Sequence, residues 1–193
     1  MAATNQVRVG APLKNARTTG GLLSADFGTA LPTDAKAELD DGFVGLGLVG
    51  DAGLSEAVER STEDIRDWDK TIVRTLQTEH GLKYKVTLME QTAETLREVN
   101  GQGNVEETTD ASGDVTRTIT YNSDELPIRS YVAELRDRGG VRIRKVIPQG
   151  QITSISEVNY VKDAAVQYEC ELTAYPDENG NNAYEYQLIP AAA

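Results

Sequence analysis

Polar and apolar residues alternate with a period of two in several stretches of the chain. Leu82, Tyr84, Val86 and Leu88 alternate with Lys83, Lys85 and Thr87, the signature of a strand with one buried and one wet face. Val166, Tyr168, Cys170, Leu172 and Ala174 alternate in the same way with Gln167, Glu169, Glu171 and Thr173. Residues 129–137 and 141–147 flank Arg138-Gly139-Gly140, and a Gly-Gly pair between strand-like runs predicts a hairpin. Tyr184, Tyr186 and Leu188 predict a short final strand after the turn-forming run Pro176-Asp177-Glu178-Asn179-Gly180. Residues 71–79 and 82–89 read as two short strands meeting at His80-Gly81. Only residues 92–99 predict a helix, with Thr92 placed to cap its start and Asn100-Gly101 to stop it. Many strands with one short flanking α-helix predict an all-β sandwich or open barrel.

Two stretches lack a period. Residues 22–42 contain Gly28, Pro32 and several small polar residues, and residues 105–113 read VEETTDASG. Both are expected to be long loops, which are uncommon in compact domains unless they have a task. In residues 22–42 the apolar Leu22, Leu23, Phe27 and Leu31 point to contact with a neighbouring subunit. For residues 105–113 a flexible surface loop and a segment ordered by assembly stand side by side.

At 193 residues a single domain, 1–193, is the natural count, with enough chain to bury ~68–75% of its unfolded surface. The single Cys170 excludes an internal disulfide and reads as a small buried hydrophobe. No apolar run approaches the ~18 residues of a membrane span, and MAATNQVRVG lacks the apolar stretch of a signal peptide, so synthesis in the cytoplasm is expected.

The net charge of −12 falls into blocks. Residues 1–23 carry +3 (Arg8, Lys14, Arg17), residues 24–70 carry −8, residues 127–148 carry +4 and residues 149–193 carry −6, counted from the sequence. Alternating blocks can guide head-to-tail association, or they can simply mark solvated faces. The acidic total argues against sequence-specific nucleic-acid binding, which normally needs a basic footprint.

Apparent catalytic signals do not hold together. Gly45-Leu46-Gly47-Leu48-Val49-Gly50 fits GxGxxG by letter, but that fingerprint needs a buried strand before it and a helix after it. Ala37-Glu38-Leu39-Asp40-Asp41-Gly42 is no buried strand, and Asp51-Ala52-Gly53 interrupts any helix. The glycines fit better in a strand that another backbone approaches closely. His80 is the only histidine, which excludes a histidine-rich metal site within one chain, and an exposed turn is its expected place. Asp177-Glu178-Asn179-Gly180-Asn181 offers oxygen ligands, but its glycine stands fourth where a calcium loop needs it sixth. No nucleophile elbow is present. No enzyme activity, metal or cofactor is therefore expected. Trp68, the only tryptophan, reads equally as a core cover or as an interface anchor.

The order of Arg60-Ser61-Thr62-Glu63-Asp64-Ile65-Arg66-Asp67-Trp68, the two alternating stretches after it and the helix near Thr92 resembles the major tail tube proteins of long-tailed, siphovirus-like bacteriophages, especially those of actinobacterial hosts. The likeness is carried by RSTEDIR-W, TIVRT-QTEH and K-TL-E. It implies a structural virion protein whose six copies form a ring, with one sheet from each joining a continuous barrel. Rings would stack on a tape measure protein, between tail terminator and tail tip proteins, and double-stranded DNA would pass through without specific binding. Assembly would take place in the host cytoplasm. The inner tube of a contractile injection or secretion apparatus is the alternative within the same fold, and an unrelated β-sandwich binding module lies outside it.

Within that frame Gln167, Glu169, Glu171 and Glu185 are candidates for a lumen whose acids repel DNA phosphates. An outward, solvent-facing position of the same face is the competing reading. Arg8, Lys14 and Arg17 of the N-terminal arm, residues 1–23, and Phe27, Leu31, Asp34, Asp40 and Asp41 of the long loop are candidates for inter-subunit contact, together with Trp68.

Overall fold

In the computed structural model, which describes residues 7–14, 17 and 20–190, most strands join one antiparallel ladder. The strands are β1 (Ala11–Pro12), β2 (Leu22–Asp26), β3 (Val44–Gly45), β4 (Val49–Arg66) and β5 (Ile72–Leu88). Helix α1 (Ala93–Asn100) follows, then β6 (Val105–Thr109), β7 (Val115–Ile119), β8 (Arg129–Arg136), β9 (Arg142–Ile155), β10 (Tyr168–Tyr175) and β11 (Tyr184–Leu188). The ladder runs β3-β2-β8-β9-β10-β5-β4, with β1 added to β8 and β11 to β9. Strands β6 and β7 form a separate hairpin.

Strand β9 turns this ladder into two layers. Its first half pairs with β8 and β11, and its second half pairs with β10, while β8 has no partner beyond Gly150. At Gly150 an added Cβ would lie 2.7 Å from the ring of Tyr131, so only glycine lets the ring close over the strand there. The layers β4-β5-β10 and β2-β8-β9 enclose one core that includes Tyr84, Leu88, Tyr131, Ile147 and Leu172. Burying each such side chain contributes about 1.5–3 kcal/mol. The sheet does not close into a barrel.

The all-β fold with one short helix is as expected. Helix α1 starts where Thr92 accepts the Thr95 N–H at 3.2 Å and ends before Gly101 at φ 101°. Leu96 and Val99 bury its inner face against the core.

Three elements differ from the sequence expectation. The acidic run 60–66 is the outer half of strand β4, and residues 72–88 form one strand, so the turn falls at 67–71 and His80 pairs mid-strand with Arg60. This part of the ribbon is exposed on both faces, so no alternation between burial and solvent was imposed on its sequence. Residues 22–26, expected in a loop, form a buried strand. Leu22 enters the main core, while Leu23 enters a second core with Ala25, Phe43, Val132 and Val146. A strand buried on both faces also shows no period of two. Residues 105–113, expected to be irregular, form β6 and its turn, where Asp110 accepts the N–H groups of Ser112 and Asp114.

Candidate assembly surfaces

The longest feature is the ribbon β4–β5. Beyond Glu59–Gly81 it stands clear of the core with both faces in solvent. Its tip is closed by Asp67, whose N–H donates to the Thr71 carbonyl and whose carboxylate accepts the Thr71 N–H at 2.8 Å. Lys70 takes φ 64°, the left-handed turn position. Trp68 sits on this tip at 100% exposure. It covers no core among the described residues, which removes the core-cover reading.

The sheet β4-β5-β10 with the second half of β9 presents a polar outer face. Glu169 and Glu171 lie on it, opposite Thr87 and Lys85, while Tyr168, Cys170 and Leu172 point inward. Gln167 precedes the strand and is exposed. Glu171 is not a bare anion: its carboxylate lies 3.5 Å from Lys83 and 3.7 Å from Lys85, and Lys83 also reaches Glu59 at 3.2 Å. Hydrogen bonding to Glu59 and the charge of Glu171 raise the Lys83 pKa. Two acids in this face are thus balanced by two bases. Glu185 lies apart, on β11, where Lys145 bridges it at 2.8 Å and Glu56 at 2.6 Å. Burial would lower the Lys145 pKa, but the hydrogen bonds to Glu185 and Glu56 outweigh it and raise it.

The edges of this sheet are open. Among the described residues, strand β4 pairs only with β5, and β9 has no strand partner on its β8 side from Gln151 onward. Glu125, Leu126 and Tyr175 form a groove with residues 151–155 along that second edge.

The arm and the long loop, both candidates for inter-subunit contact, also touch each other within one subunit. The Arg17 guanidinium donates to the carbonyls of Asp40 at 2.7 Å, Phe43 at 3.0 Å and Leu39 at 3.1 Å, and lies 3.6 Å from Asp41. Arg8 lies 3.8 Å from Asp137. Asp34 caps its own turn by accepting the N–H groups of Ala37 and Lys36, which lowers its pKa. Leu31 packs on the second core, whereas Phe27 is 61% exposed. Lys14 stands on the rim of a cleft beside β1.

Two buried charge pairs were not visible in the sequence. Arg144 pairs with Glu134 at 2.5 Å and donates to the carbonyls of Asp34 and Ala37, which pins the long loop over the second core. Glu98, on α1, receives the Tyr131 hydroxyl and the Ser24 hydroxyl, the latter at 2.8 Å. The Arg129 Nε lies 3.0 Å from Glu98 Oε2, close enough for charge attraction although not aligned as a hydrogen bond. Burial pushes the Glu98 carboxyl above its usual range, against the pull of Arg129. Glu98 and Arg129 lie far apart in the chain and leave no local pattern, whereas Glu134 and Arg144 face each other across the β8–β9 hairpin, a pairing set by its register.

The GxGxxG run is strand, turn and strand: Gly45 ends β3, Gly47 turns at φ 77° and Gly50 lies in β4. No helix follows it, so no helix N-terminus faces a phosphate. The close backbone approach is real but involves another glycine. A Cβ on Gly20 would lie 2.1 Å from the Gly47 carbonyl oxygen.

A family model described as phage tail tube protein matches residues 10–188. A search of curated proteins gives no match. Among solved structures, the chain is similar to one described as the cryo-EM structure of the anti-feeding prophage cap (AFP tube terminating cap). That alignment has 10% identity, covers 97% of this chain and 100% of that chain, and has a TM-score of 0.46.

Proposed function

The chain belongs to the phage tail tube protein family, and from that premise we propose that six copies close into a ring and that rings stack into the tail tube of a siphovirus-like phage. The tube is the conduit for double-stranded DNA, built in the host cytoplasm around a tape measure protein and finished by terminator and tip proteins. The observation that carries this reading is the pair of open edges on the sheet β4-β5-β10-β9.

Exposed edges invite pairing with another chain. Each strand here runs antiparallel to its neighbour, so β9 runs antiparallel to β4 across the four-stranded sheet. Rotation about a ring axis keeps strand directions, so β9 of one copy meets β4 of the next in antiparallel sense. An even number of strands per copy lets the alternation continue around the ring.

Six copies of four strands, spaced ~4.8 Å apart and tilted ~40°, give a barrel roughly 45–50 Å across between backbones. Side chains reduce the bore to about 35–40 Å, counting half a ~10 Å sheet spacing on each wall. The face with Glu169 and Glu171 lines this bore. Because Lys83 and Lys85 lie among its acids, the wall is nearly neutral and rich in hydroxyls, rather than the acid lining expected from sequence. DNA then slides past without capture, since few net cations face its phosphates.

Negative-stain microscopy of the purified protein at rising concentration tests the reading, with rings and tubes expected. Thr153 stands in β9 between residues paired with β10 but has no ladder partner there, its tie to that strand being its hydroxyl against Thr173 at 2.9 Å and the Glu171 carbonyl. Thr153→Pro should therefore leave the subunit folded but block the open edge. Rings that form normally with this variant would remove the proposed edge pairing. A protein that stays monomeric at all concentrations would count against the tube.

A further inference from the structure

Strand β4 changes register between Val49 and Leu54: Val49 pairs with Leu88 and Leu54 with Val86, so Gly50-Asp51-Ala52-Gly53 loop out opposite Thr87. This bulge opens a cleft of about 290 Å³ between β4 and the layer of β1, β2 and β8. Leu22, Leu54, Val86, Ala133 and Leu135 form its apolar floor, and Lys14 and Asp51 stand on its rim. A cavity of about 150 Å³ accepts a benzene ring, so this one has room for an indole.

The chain carries one such group in the open. Trp68, fully exposed on the ribbon tip, stands between Asp67, whose carboxylate accepts the Thr71 N–H, and Asp69; beyond Asp67 the tip carries the charges of Asp69 and Lys70. These two charges are the complements of the cleft's Lys14 and Asp51. The cleft lies at the start of β4 and the knob just past its end, with 12 residue steps of strand from Leu54 to Arg66, which is roughly 40 Å at ~3.3 Å per residue. That length stops Trp68 from reaching the cleft of its own subunit. Two different patches at opposite ends of one rigid element make a heterologous contact, which propagates rather than closing as a dimer.

We propose that Trp68 of one copy inserts into the glycine-bulge cleft of a copy in the adjacent ring, and that this is the axial lock of the stack. The inference rests on the tube reading above, with a second copy of this chain as the partner. An indole buries about 150–250 Å² when enclosed, and tryptophan is favoured where a few residues carry most of an interface. The bulge explains why Gly50 and Gly53 stand in a strand. Gly53 takes φ 67°, and its chain position would be strained with any side chain.

Because Trp68 is the only tryptophan, its fluorescence reports the contact directly. On assembly its emission should move to shorter wavelength and its quenching by acrylamide should fall several-fold. Trp68→Ala should raise the concentration needed for elongation roughly 30-fold or more. Gly10 lines the cleft, and a Cβ there would meet only the Leu135 side chain at 3.7 Å, so Gly10→Phe fills the cleft from its rim. The two variants fail for opposite reasons, so mixing them should restore a single junction, two rings deep, that neither forms alone. Tubes in which Trp68 stays open to acrylamide would overturn the lock while leaving the tube intact. A mixture that shows no junction would overturn it as well, and failure of the wild-type protein to assemble at all would overturn both.

Discussion

Replacing Glu98 or Arg129 by methionine should destabilise the subunit by amounts that do not add. Glu98 has a side chain only 2% exposed and Arg129 one 9% exposed, and they lie 3.0 Å apart under helix α1. Removing one partner of a buried pair strands the other, which costs about 3–5 kcal/mol. In Glu98→Met the stranded arginine keeps Asp26 at 2.7 Å, an exposed partner, so about 3 kcal/mol is expected. In Arg129→Met the carboxyl keeps Tyr131 and Ser24 as donors and can take up a proton, so the loss should be smaller, about 2 kcal/mol. The double variant loses no charge balance and forfeits only the acceptor for two hydroxyls, about 1 kcal/mol each. It should therefore be about as stable as the better single variant, well short of the summed loss. Thermal melts of the monomer would show this, at roughly 2–4 °C per kcal/mol for a chain of this size. The pH dependence gives a second check. Glu98 in Arg129→Met has a folded pKa raised by burial, so its contribution is complete below the unfolded carboxyl value and is lost as pH rises through the folded one. That variant should thus approach wild-type stability in acid. Additive losses, or a single-variant cost that does not change with pH, would refute the pairing.

Gly47→Val should lower both folding yield and assembly. Gly47 has φ 77°, and a Cβ there would lie 2.7 Å from the Glu90 carboxylate, which also accepts the Leu48 N–H at 3.0 Å; recovery of normal soluble protein would count against the strain. Glu169→Lys alters the proposed bore by two charge units in each of six copies, twelve per ring, at an exposed position where such changes cost within about ±0.5 kcal/mol. Particles should assemble normally but release DNA slowly, and normal delivery would move Glu169 to the outer surface. Burial pushes the Cys170 thiol up to about 12, so a maleimide should label it at pH 8 only after denaturation, and rapid labelling of the native protein would contradict its packing. Since Arg17 and Arg8 already engage Asp41 and Asp137 within the subunit, only the tip charges of Asp69 and Lys70 against Lys14 and Asp51 are left to be screened at the proposed junction. Tube length should therefore fall only modestly between 0.1 M and 1 M salt, where the screening length falls from ~10 to ~3 Å. A steep loss of tubes with salt would return Arg8 and Arg17 to the interface.

The legible parts of the fold were those where one face is buried and the other wet. Strand β10 and the inner half of β5 announce themselves by alternation, and α1 by Thr92 and Gly101, because those signals are local. Strand β2 was hidden because both its faces are buried, and the outer ribbon because neither is. The turn at 67–71 carries no glycine, and Lys70 supplies the left-handed residue instead; His80-Gly81, with its glycine, drew the turn to the wrong place. Among the site residues, Glu169 and Glu171 could be put on one face by counting, but Glu185 could not be separated from them, since that depends on how β11 meets β9. The neutralising lysines Lys83 and Lys85 were visible as residues. Their pairing with Glu171 required the register of β5 on β10.

The two proposed contacts use different parts of the same ribbon, and this separates sideways growth from lengthwise growth. Edge pairing acts through the backbone, where residues 151–155 of β9 meet the open edge of β4, and a ring satisfies it completely. The tip and the bulge lie at the two ends of that strand, and a ring satisfies neither. Each finished ring therefore presents Trp68 knobs on one rim and glycine-bulge clefts on the other. A stack of rings always retains one unsatisfied rim of each kind, because a heterologous contact that does not close has no natural end. Stopping the tube then requires two different proteins: one that fills clefts and one that covers exposed indoles. In the proposed tube those two roles fall to the terminator and tip proteins, one supplying an apolar knob and the other an apolar socket, according to which rim faces the host.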